Sequence, residues 1–409
     1  MMLKNTPFVI GFIAFFHVIG MIFSPFLQSF TLLLLGGIAL FYFFVVTKDK
    51  KAFWNTYQRT LDYWVFGFIF LEVALGIFVA LDWDYMLERI RLRVPFIGLP
   101  FAFFLLPSLS LIWYRNWWLA VILVVDIVAV GVIVYYFNHQ QDIQLLLEQG
   151  KAIPTPANHI RYALLQVVAF CASVYWGWFH RGHSNQSRIN GFFKVSSIFL
   201  FVFIHFLAVR SGLFSLYLII VSMGVPYLFR KRAYATLMLF LAGVIILPFM
   251  GMKLIPSLKK KIEYVYYDVD MFLKGEATDQ LSDASRLISW KLGLELFVDN
   301  PTFGVGAGNI RIKMNELYKR DYPVFEKKLT PHNQFIMVLS SSGVVGLILF
   351  CAGFFIPLFY GKNYQDPFIL ALYLSFFASF WVEATFENAM GVAIFLFFTL
   401  FHLKHKKVS

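Results

Sequence analysis

The sequence predicts an all-α fold, a polytopic membrane helical bundle of about twelve transmembrane helices with one large outer loop that contains short helices. Hydrophobic residues make up 59% of the chain and charged residues only 14%, whereas soluble globular chains carry about 25% charged residues. Apolar stretches of about 18 residues or more recur from end to end, and each can cross a hydrocarbon core of ~30 Å as a helix. These two observations exclude an ordinary soluble domain.

Twelve spans follow one another along the chain, and Pro100 and Pro107 interrupt the fourth of them. They are predicted at 7–24, 26–46, 60–81, 94–113, 117–137, 161–179, 192–209, 212–229, 234–251, 333–359, 366–381 and 388–403. This pattern divides the chain into three regions. Helices one to nine occupy 1–251, a polar outer segment occupies 252–331, and helices ten to twelve with a basic cytoplasmic tail occupy 332–409.

The formal net charge of +12 is a topology signal and not a nucleic-acid footprint. Basic residues lie after even-numbered spans: Lys48, Lys50, Lys51, Arg59, Arg115, Arg181, Arg188, Arg230, Lys231, Arg232, Lys362, Lys404, Lys406 and Lys407. Cytoplasmic loops carry an excess of Lys and Arg, so both termini are expected in the cytoplasm. The 252–331 segment then faces outward, and its nearly balanced charges are typical of a long translocated segment.

Cysteine and histidine spacing indicates neither a disulfide framework nor a metal site. Cys171 and Cys351 both fall inside predicted spans, where they form no recognisable framework. Two histidine pairs have metal-like spacing: His180 with His183, and His402 with His405. Each pair lies in a basic cytoplasmic segment without a carboxylate or cysteine partner, so we expect no bound metal.

The polar segment 252–331 is expected to contain helices of its own. Apolar residues recur every three or four positions over 255–272, which predicts an amphipathic helix. Ser282 or Asp283 can cap a second helix, which the Asp-Asn-Pro sequence at 299–301 ends.

A glycine-rich turn, Gly304-Val305-Gly306-Ala307-Gly308, follows the second helix. Glycine lets backbone amides approach a ligand or a neighbouring helix closely. The cluster follows a helix and has no βαβ unit around it, so it is not a dinucleotide-binding motif. Gly343 and Gly346, near the middle of the tenth span, permit close helix contact.

Three residues carry the strongest indications of chemistry: Arg210, Arg286 and His332. Arg210 lies at the outer end of the seventh span, where it either holds phosphate oxygens or serves as an interfacial anchor. Arg286 lies on the second loop helix, where a solvated charge is the alternative. His332 opens the tenth span, where its neutral imidazole either accepts a proton from a hydroxyl or merely caps the helix.

These motifs resemble those of the O-antigen ligase and polymerase superfamily, bacterial integral-membrane glycosyltransferases of the class C type. The resemblance rests on Arg210-Ser211-Gly212, on Arg286-Leu-Ile-Ser-Trp290, on Asn300-Pro301-x-x-Gly304-Val305-Gly306-x-Gly308 and on His332. It covers roughly residues 200–390, while the first six spans match in hydropathy only. In that family two arginines engage a lipid diphosphate and a histidine aids acceptor attack. The matching positions are Arg210, Arg286 and His332.

The resemblance implies transfer of a glycan from an undecaprenyl-diphosphate carrier to an acceptor, foremost lipid A-core oligosaccharide. The reaction is expected at the outer, periplasmic face of the bacterial inner membrane, without a nucleotide sugar, a cofactor or a metal. Fixed guanidinium groups in a water-poor site can stabilise the charge of a diphosphate leaving group. Attack from the opposite face predicts inversion. The expected partners are the lipid-linked donor, the glycan acceptor and membrane lipids, and not nucleic acid.

Glu383, Glu387 and Asn333 complete the predicted substrate-binding set. The two acids lie one helical turn apart at the outer end of the eleventh span. They either position an arginine, bind the acceptor sugar or form a solvated helix terminus. Asn333 adjoins His332. Acids within spans are functional suspects by default, and three are present: Asp62, Glu72 and Asp126.

Two other functions stay open from the sequence. A polymerase for O-antigen or exopolysaccharide would join lipid-linked repeat units with the same motifs, although a single large outer loop mildly favours a ligase. A polysaccharide transporter or flippase would use many spans and intramembrane acids. The outer segment with the strongest motif, and the lack of a repeat between the halves, argue against a transporter.

Overall fold

The computed structural model of the protein describes residues 2–179, 187–276, 278 and 281–406. Within these residues the chain is helical and has no strand. The α-helices in chain order are α1 (Met2–Phe23), α2 (Pro25–Phe41), α3 (Lys50–Arg59), α4 (Leu61–Trp64), α5 (Gly67–Ala74), α6 (Trp83–Arg93), α7 (Pro95–Leu105), α8 (Leu111–Asn138), α9 (Gln140–Glu148), α10 (His159–Val174), α11 (Ser187–Leu207), α12 (Arg210–Arg230), α13 (Tyr234–Leu254), α14 (Pro256–Leu273), α15 (Ser282–Asp299), α16 (Ile310–Asp321), α17 (Gln334–Phe359), α18 (Pro367–Val382) and α19 (Ala389–Lys406). The predicted fold class, an all-α polytopic bundle, is confirmed.

Eight of the described helices are long and apolar enough to cross a bilayer. They are Thr6–Phe23, Pro25–Val46, Leu111–Asn138, His159–Phe179, Arg188–Leu207, Arg210–Arg230, Tyr234–Gly251 and Gln334–Gln365. Large apolar side chains on α13, among them Met238 and Leu239, are exposed, as expected for a helix that faces lipid. The protein is therefore a multi-pass membrane protein, and the predicted count of twelve spans is not confirmed.

The predicted span 60–81 is wrong as a continuous helix, and of the two interruptions predicted in the span 94–113 only the one at Pro107 is confirmed. In this second span α7 ends at Leu105 and α8 begins at Leu111, because a proline disfavours the α conformation of the residue before it and Pro107 lacks an N–H. Pro100, by contrast, lies inside α7. The first is divided into α4, α5 and a 3₁₀ turn at Leu75–Val79.

The chain forms two compact units, of which the first comprises Met1–Trp118, Arg286–Leu370 and Glu383–Ser409. In this unit α19 is buried along nearly its whole length and packs against α1, α6 and α7. A helix that is apolar all round is surrounded either by protein or by lipid, and α19 is of the first kind. In the same unit α5 packs on α17.

The second unit comprises Leu119–Ser285 and Ala371–Val382. At its centre α10 packs against α11 and α12. The approach of α12 depends on Gly212, because a Cβ at that position would lie only 3.0 Å from the Cβ of Ala163. In this unit α14 packs on α9, α11 and α13.

The two helices predicted in the outer segment are confirmed as α14 and α15. The predicted cap of α15 is wrong, since Ser282 already belongs to the helix. The Asp268 carboxylate takes that role and accepts the backbone N–H groups of Asp283 and Ala284 at 2.7 and 2.8 Å. A third helix, α16, is absent from the predictions, although its buried residues recur at every fourth position: Ile310, Met314 and Tyr318.

The long helix α17 is interrupted at Gly343, whose φ of 63° and ψ of −162° lie in a region that glycine alone adopts readily. The glycine-rich turn at 304–308 and the residues before it bond to the interruption from both sides. The pairs, donor N–H first, are Val305 with Ser340, Gly306 with Ser341, Val344 with Pro301 and Val345 with Thr302, at 2.9 to 3.2 Å. These bonds satisfy backbone groups that a broken helix would otherwise leave unpaired in apolar surroundings.

Candidate active site

Two contacts fix His332 at the entry to α17. Its backbone N–H donates to the Ser289 hydroxyl at 3.2 Å, and its Nδ1 lies 3.0 Å from the Thr330 carbonyl oxygen. A carbonyl oxygen can only accept, so Nδ1 carries the hydrogen of the neutral ring and Nε2 carries the lone pair. The side chain is 26% exposed, so the ring is held in place and remains accessible.

The residue that caps α17 is Asn333 and not His332. Its side-chain oxygen accepts the backbone N–H groups of Phe335 and Ile336 at 2.9 and 3.1 Å, and the residue is buried. The capping alternative for His332 is therefore wrong. Asn333 has a structural task, and its binding of substrate stays a prediction.

Glu383 brings Arg286 and His332 together. Its Oε2 lies 3.5 Å from Arg286 Nη2, and its Oε1 lies 3.8 Å from His332 Nε2. Only 7% of the Glu383 side chain is exposed, against 23% of Arg286, and charges interact more strongly away from water. Three of the predicted site residues thus form one cluster, and the solvated-terminus alternative for Glu383 is wrong.

Glu387 pairs with two arginines that are absent from the predicted site. It does not share a helix with Glu383, because α18 ends at Val382 and Glu387 ends a 3₁₀ turn. Its Oε1 lies 3.2 Å from Arg89 Nη2 and also pairs with Arg93. Burial opposes ionisation, but the two guanidinium groups outweigh it and lower the pKa of Glu387 to about 2. Glu387 is therefore charged at neutral pH.

Arg89 and Arg93 are buried on α6, with 1% and 0% of each residue exposed. They lie three and seven residues after Met86, which is also buried, so all three share one helical face. This spacing could have indicated a buried helical face from the sequence alone. It was not used because the residues lie between two predicted spans, where a charged segment is ordinarily solvated.

Arg210 belongs to the second unit, where it begins α12. Its guanidinium pairs with Asp283 and lies 3.4 Å from the Ser282 hydroxyl. Ala208, two residues earlier, has a φ of 51°, so the chain turns sharply between α11 and α12. Arg210 is thus oriented by protein contacts and still 28% exposed.

A cavity of about 240 Å³ lies beside Arg210 in the second unit. Arg210 and Lys261 line it with their apolar stems, while their charged ends contact Asp283 and the Gly150 carbonyl oxygen. The apolar part of the wall includes Leu213, Pro248, Leu258 and Val265. His205 and Tyr217, also in the wall, hydrogen-bond to each other at 2.7 Å. An apolar wall of this kind suits an apolar chain.

The three acids within predicted spans all hydrogen-bond to polar side chains. The pairs are Asp62 with Asn363 at 3.3 Å, Glu72 with Ser342 at 2.6 Å and Asp126 with Ser196 at 2.6 Å. A buried polar group is tolerated when it is hydrogen-bonded, so these contacts explain how the acids are accommodated.

No group of three or more His, Cys, Asp or Glu side chains within the described part of the chain has an arrangement that could hold a metal ion. His180 and His183 lie outside the described residues. His402 instead hydrogen-bonds Tyr114 at 2.8 Å and Asp366 at 3.1 Å.

Residues 195–351 match the family model described as O-antigen ligase. No curated protein matches the chain. The matched region contains Arg210, Arg286 and His332, the same positions that carry the resemblance in the sequence, while Glu383 lies beyond it. The match supports the assignment of the chain to the O-antigen ligase and polymerase superfamily.

Proposed function

We propose that the protein transfers a glycan from undecaprenyl diphosphate to an acceptor hydroxyl, foremost on lipid A-core oligosaccharide, at the periplasmic face of the bacterial inner membrane. The family match supports ligase- or polymerase-like chemistry in general. The observation that carries the finer proposal is the cluster in which Glu383 faces both Arg286 and His332. The transfer requires a base for the acceptor hydroxyl, which His332 can provide, and next to it a cation that binds the donor's phosphate, which Arg286 can provide.

Arg286 binds the diphosphate of the donor in this mechanism. Its planar guanidinium offers parallel N–H donors to phosphate oxygens, and Glu383 holds it at 3.5 Å. Negative charge grows on the diphosphate as the bond to the anomeric carbon breaks. A fixed cation therefore stabilises the transition state more than the bound substrate. Arg210, with the cavity beside it, is assigned the same kind of phosphate-binding task.

His332 is the general base. Nε2 takes the proton of the acceptor hydroxyl as its oxygen bonds to the anomeric carbon, and the electron pair of the broken bond leaves with the diphosphate. The acceptor attacks the face opposite the leaving group, so the configuration inverts. Glu383 Oε1, at 3.8 Å from Nε2, then stabilises the charge of the imidazolium. Unlike the carboxylate of a catalytic triad, which bonds the other ring nitrogen, it faces the nitrogen that takes the proton.

The test is to delete the gene in its host and restore it as wild type, His332→Gln or His139→Gln. His139 is an exposed histidine in the second unit and serves as the matched control. We expect His332→Gln to reduce transfer by about 100- to 10,000-fold, the usual contribution of a general base. On a gel of surface glycolipids the long-chain ladder should disappear with His332→Gln and persist with His139→Gln.

The lipid that accumulates distinguishes the two enzyme functions. Carrier-linked polymer together with unmodified core would establish a ligase, whereas carrier-linked single repeats would establish a polymerase, for which the acceptor is another lipid-linked glycan. A ladder unchanged in both the deletion strain and the His332→Gln strain would refute the proposal.

A further inference from the structure

A second polar cluster lies in the first unit and is built from Arg89 and Arg93 on α6, Glu387, and Glu72 on α5. Both guanidinium groups pair with Glu387, and the Glu72 carboxyl group accepts a hydrogen bond from the Ser342 hydroxyl at 2.6 Å. Burying such groups carries a desolvation penalty that their attraction often only just offsets. The cluster is therefore better explained by the geometry it imposes than by stability.

Both backbone polar groups of Phe386, its N–H and its carbonyl, are hydrogen-bonded to side chains. Arg93 Nη1 donates to its carbonyl oxygen, and its N–H donates to Gln334 Oε1 at 2.8 Å. Gln334 is fully buried and lies two residues after His332. One clamp thus connects the buried arginine, the segment after α18 and the start of α17.

The segment from Glu383 to Glu387 is short and internally bonded. The Thr385 N–H donates to the Glu383 carbonyl at 3.0 Å, and the Glu387 N–H donates to the Ala384 carbonyl at 3.1 Å. The Phe386 ring packs against Phe96, Phe350 and Phe395. A displacement of the Phe386 peptide is therefore transmitted to the carboxylate three residues earlier.

We infer that Arg93 and Gln334 are positioning residues for Glu383. They hold Phe386 in place, and so fix the Glu383 carboxylate against the site arginine and histidine. The inference rests on the proposed function, in which that carboxylate supports both groups. A misplacement of about 1 Å at a reacting group can reduce turnover about 100-fold, so a clamp that touches no substrate still controls the rate.

The experiment is a double-mutant cycle on turnover. The purified protein and its variants would transfer undecaprenyl-diphosphate-linked polysaccharide, extracted from the deletion strain, to lipid A-core from the same strain. Arg93→Gln should reduce the rate about 10- to 100-fold and should add no further loss in a Glu383→Gln background, because it acts only through Glu383. Arg93→Lys, which keeps the charge and N–H donors on a single nitrogen, should restore part of the rate. Arg91→Gln, an exposed neighbour on α6, should leave the rate unchanged.

Gln334→Met provides the same cycle without altering a buried charge, and it replaces Arg93→Gln if that variant does not fold. The inference would be overturned if Arg93→Gln or Gln334→Met reduced the rate further in the Glu383→Gln background, by the same factor as alone. Wild-type rates for both Arg93→Gln and Gln334→Met would also overturn it. Either result would leave the proposed function intact. A wild-type rate for Glu383→Gln alone would overturn the inference together with the assigned role of Glu383.

Discussion

At the scale of single residues, the position of Glu383 decides what His332 and Arg286 can do. A carboxylate that faces an imidazole stabilises the positive charge that forms when the imidazole takes a proton, as the proposed mechanism requires of His332. The same carboxylate orients the guanidinium that we propose binds phosphate. Exposed ion pairs contribute little because water and salt screen them, but only 7% of Glu383 is exposed. The contacts of Glu383 with Arg286 and with His332 are therefore little screened by water.

The other acid of the pair, Glu387, leads to a prediction about stability and pH. Its pKa is about 2 in the folded protein, against 4.5 for a glutamate side chain in water. A depressed pKa means that the ion pairs stabilise the fold fully above about pH 4.5 and less as the pH falls towards 2. Removing one partner of a buried pair typically costs ~3–5 kcal/mol. We expect Glu387→Gln to lower the thermal unfolding midpoint at pH 7, measured in detergent. Between pH 4.5 and 3 the midpoint of this variant should fall less with decreasing pH than the midpoint of the wild type.

Glu316→Gln is the matched control for this prediction. Glu316 is exposed and pairs with Lys313 at 2.8 Å on α16, a surface contact worth less than about 1 kcal/mol. Its loss should leave the midpoint nearly unchanged. An acid decline in Glu387→Gln as steep as in the wild type would contradict the assigned ion pairs.

The sequence identifies some site residues and misses others for a physical reason. Arg286 and His332 stand out because they lie in motifs on a polar segment, and the structure brings them together through Glu383. Arg89 and Arg93 lie in a short segment with several charges, where a solvated position is the ordinary expectation. Their burial depends on a carboxylate about 300 residues later in the chain, and no local pattern encodes that pairing.

At the scale of elements, the break in α17 joins the glycine-rich turn to a helix that is long enough to span a membrane. Backbone groups at a helix break in apolar surroundings need partners, and here four bonds from residues 301–306 provide them. The sequence leaves open whether this turn approaches a ligand or a neighbouring helix, and in the structure it packs against a helix. The same contact ties the end of α15 to the helix that begins beside His332.

Gly343→Ala should destabilise the protein strongly. At φ 63° and ψ −162° any side chain is strained by about 1–3 kcal/mol, and an added Cβ would collide with the Thr302 carbonyl. We expect a loss of at least about 2 kcal/mol, measured as a lower unfolding midpoint in detergent. Gly36→Ala on α2 is the control, because a Cβ there has open space around it and alanine favours a helix. Equal midpoints for the two variants would show that the break is not required.

The elements that the sequence predicts well are those with a long uninterrupted apolar run. α13 and the helix that ends at Phe23 begin and end close to their predicted bounds. The span 60–81, which divides into α4, α5 and a 3₁₀ turn, is less well predicted, since hydropathy alone does not show where a chain leaves a helix. The helix α16 could have been predicted from its periodicity, because its buried residues recur at every fourth position.

At the scale of the whole molecule, the distribution of charge predicts the orientation that the proposed reaction requires. The basic groups after even-numbered spans predict that the loop at 230–232 lies inside the cell and the segment 252–331 outside. His332 follows that segment, so the general base would face the periplasm. Transfer from undecaprenyl diphosphate to lipid A-core at the outer face is possible only in this orientation.

We predict that a membrane-impermeant maleimide will label Lys319→Cys in intact cells and will label Lys231→Cys only after permeabilisation. Both positions are exposed on the protein. The two native cysteines, Cys171 and Cys351, are first replaced by alanine so that each reporter is the sole thiol. Lys51→Cys, on the predicted inner side, should behave like Lys231→Cys, and all three should react in permeabilised cells. The opposite pattern, with the 231 reporter labelled in intact cells and the 319 reporter protected, would place the site on the cytoplasmic side and exclude a periplasmic acceptor.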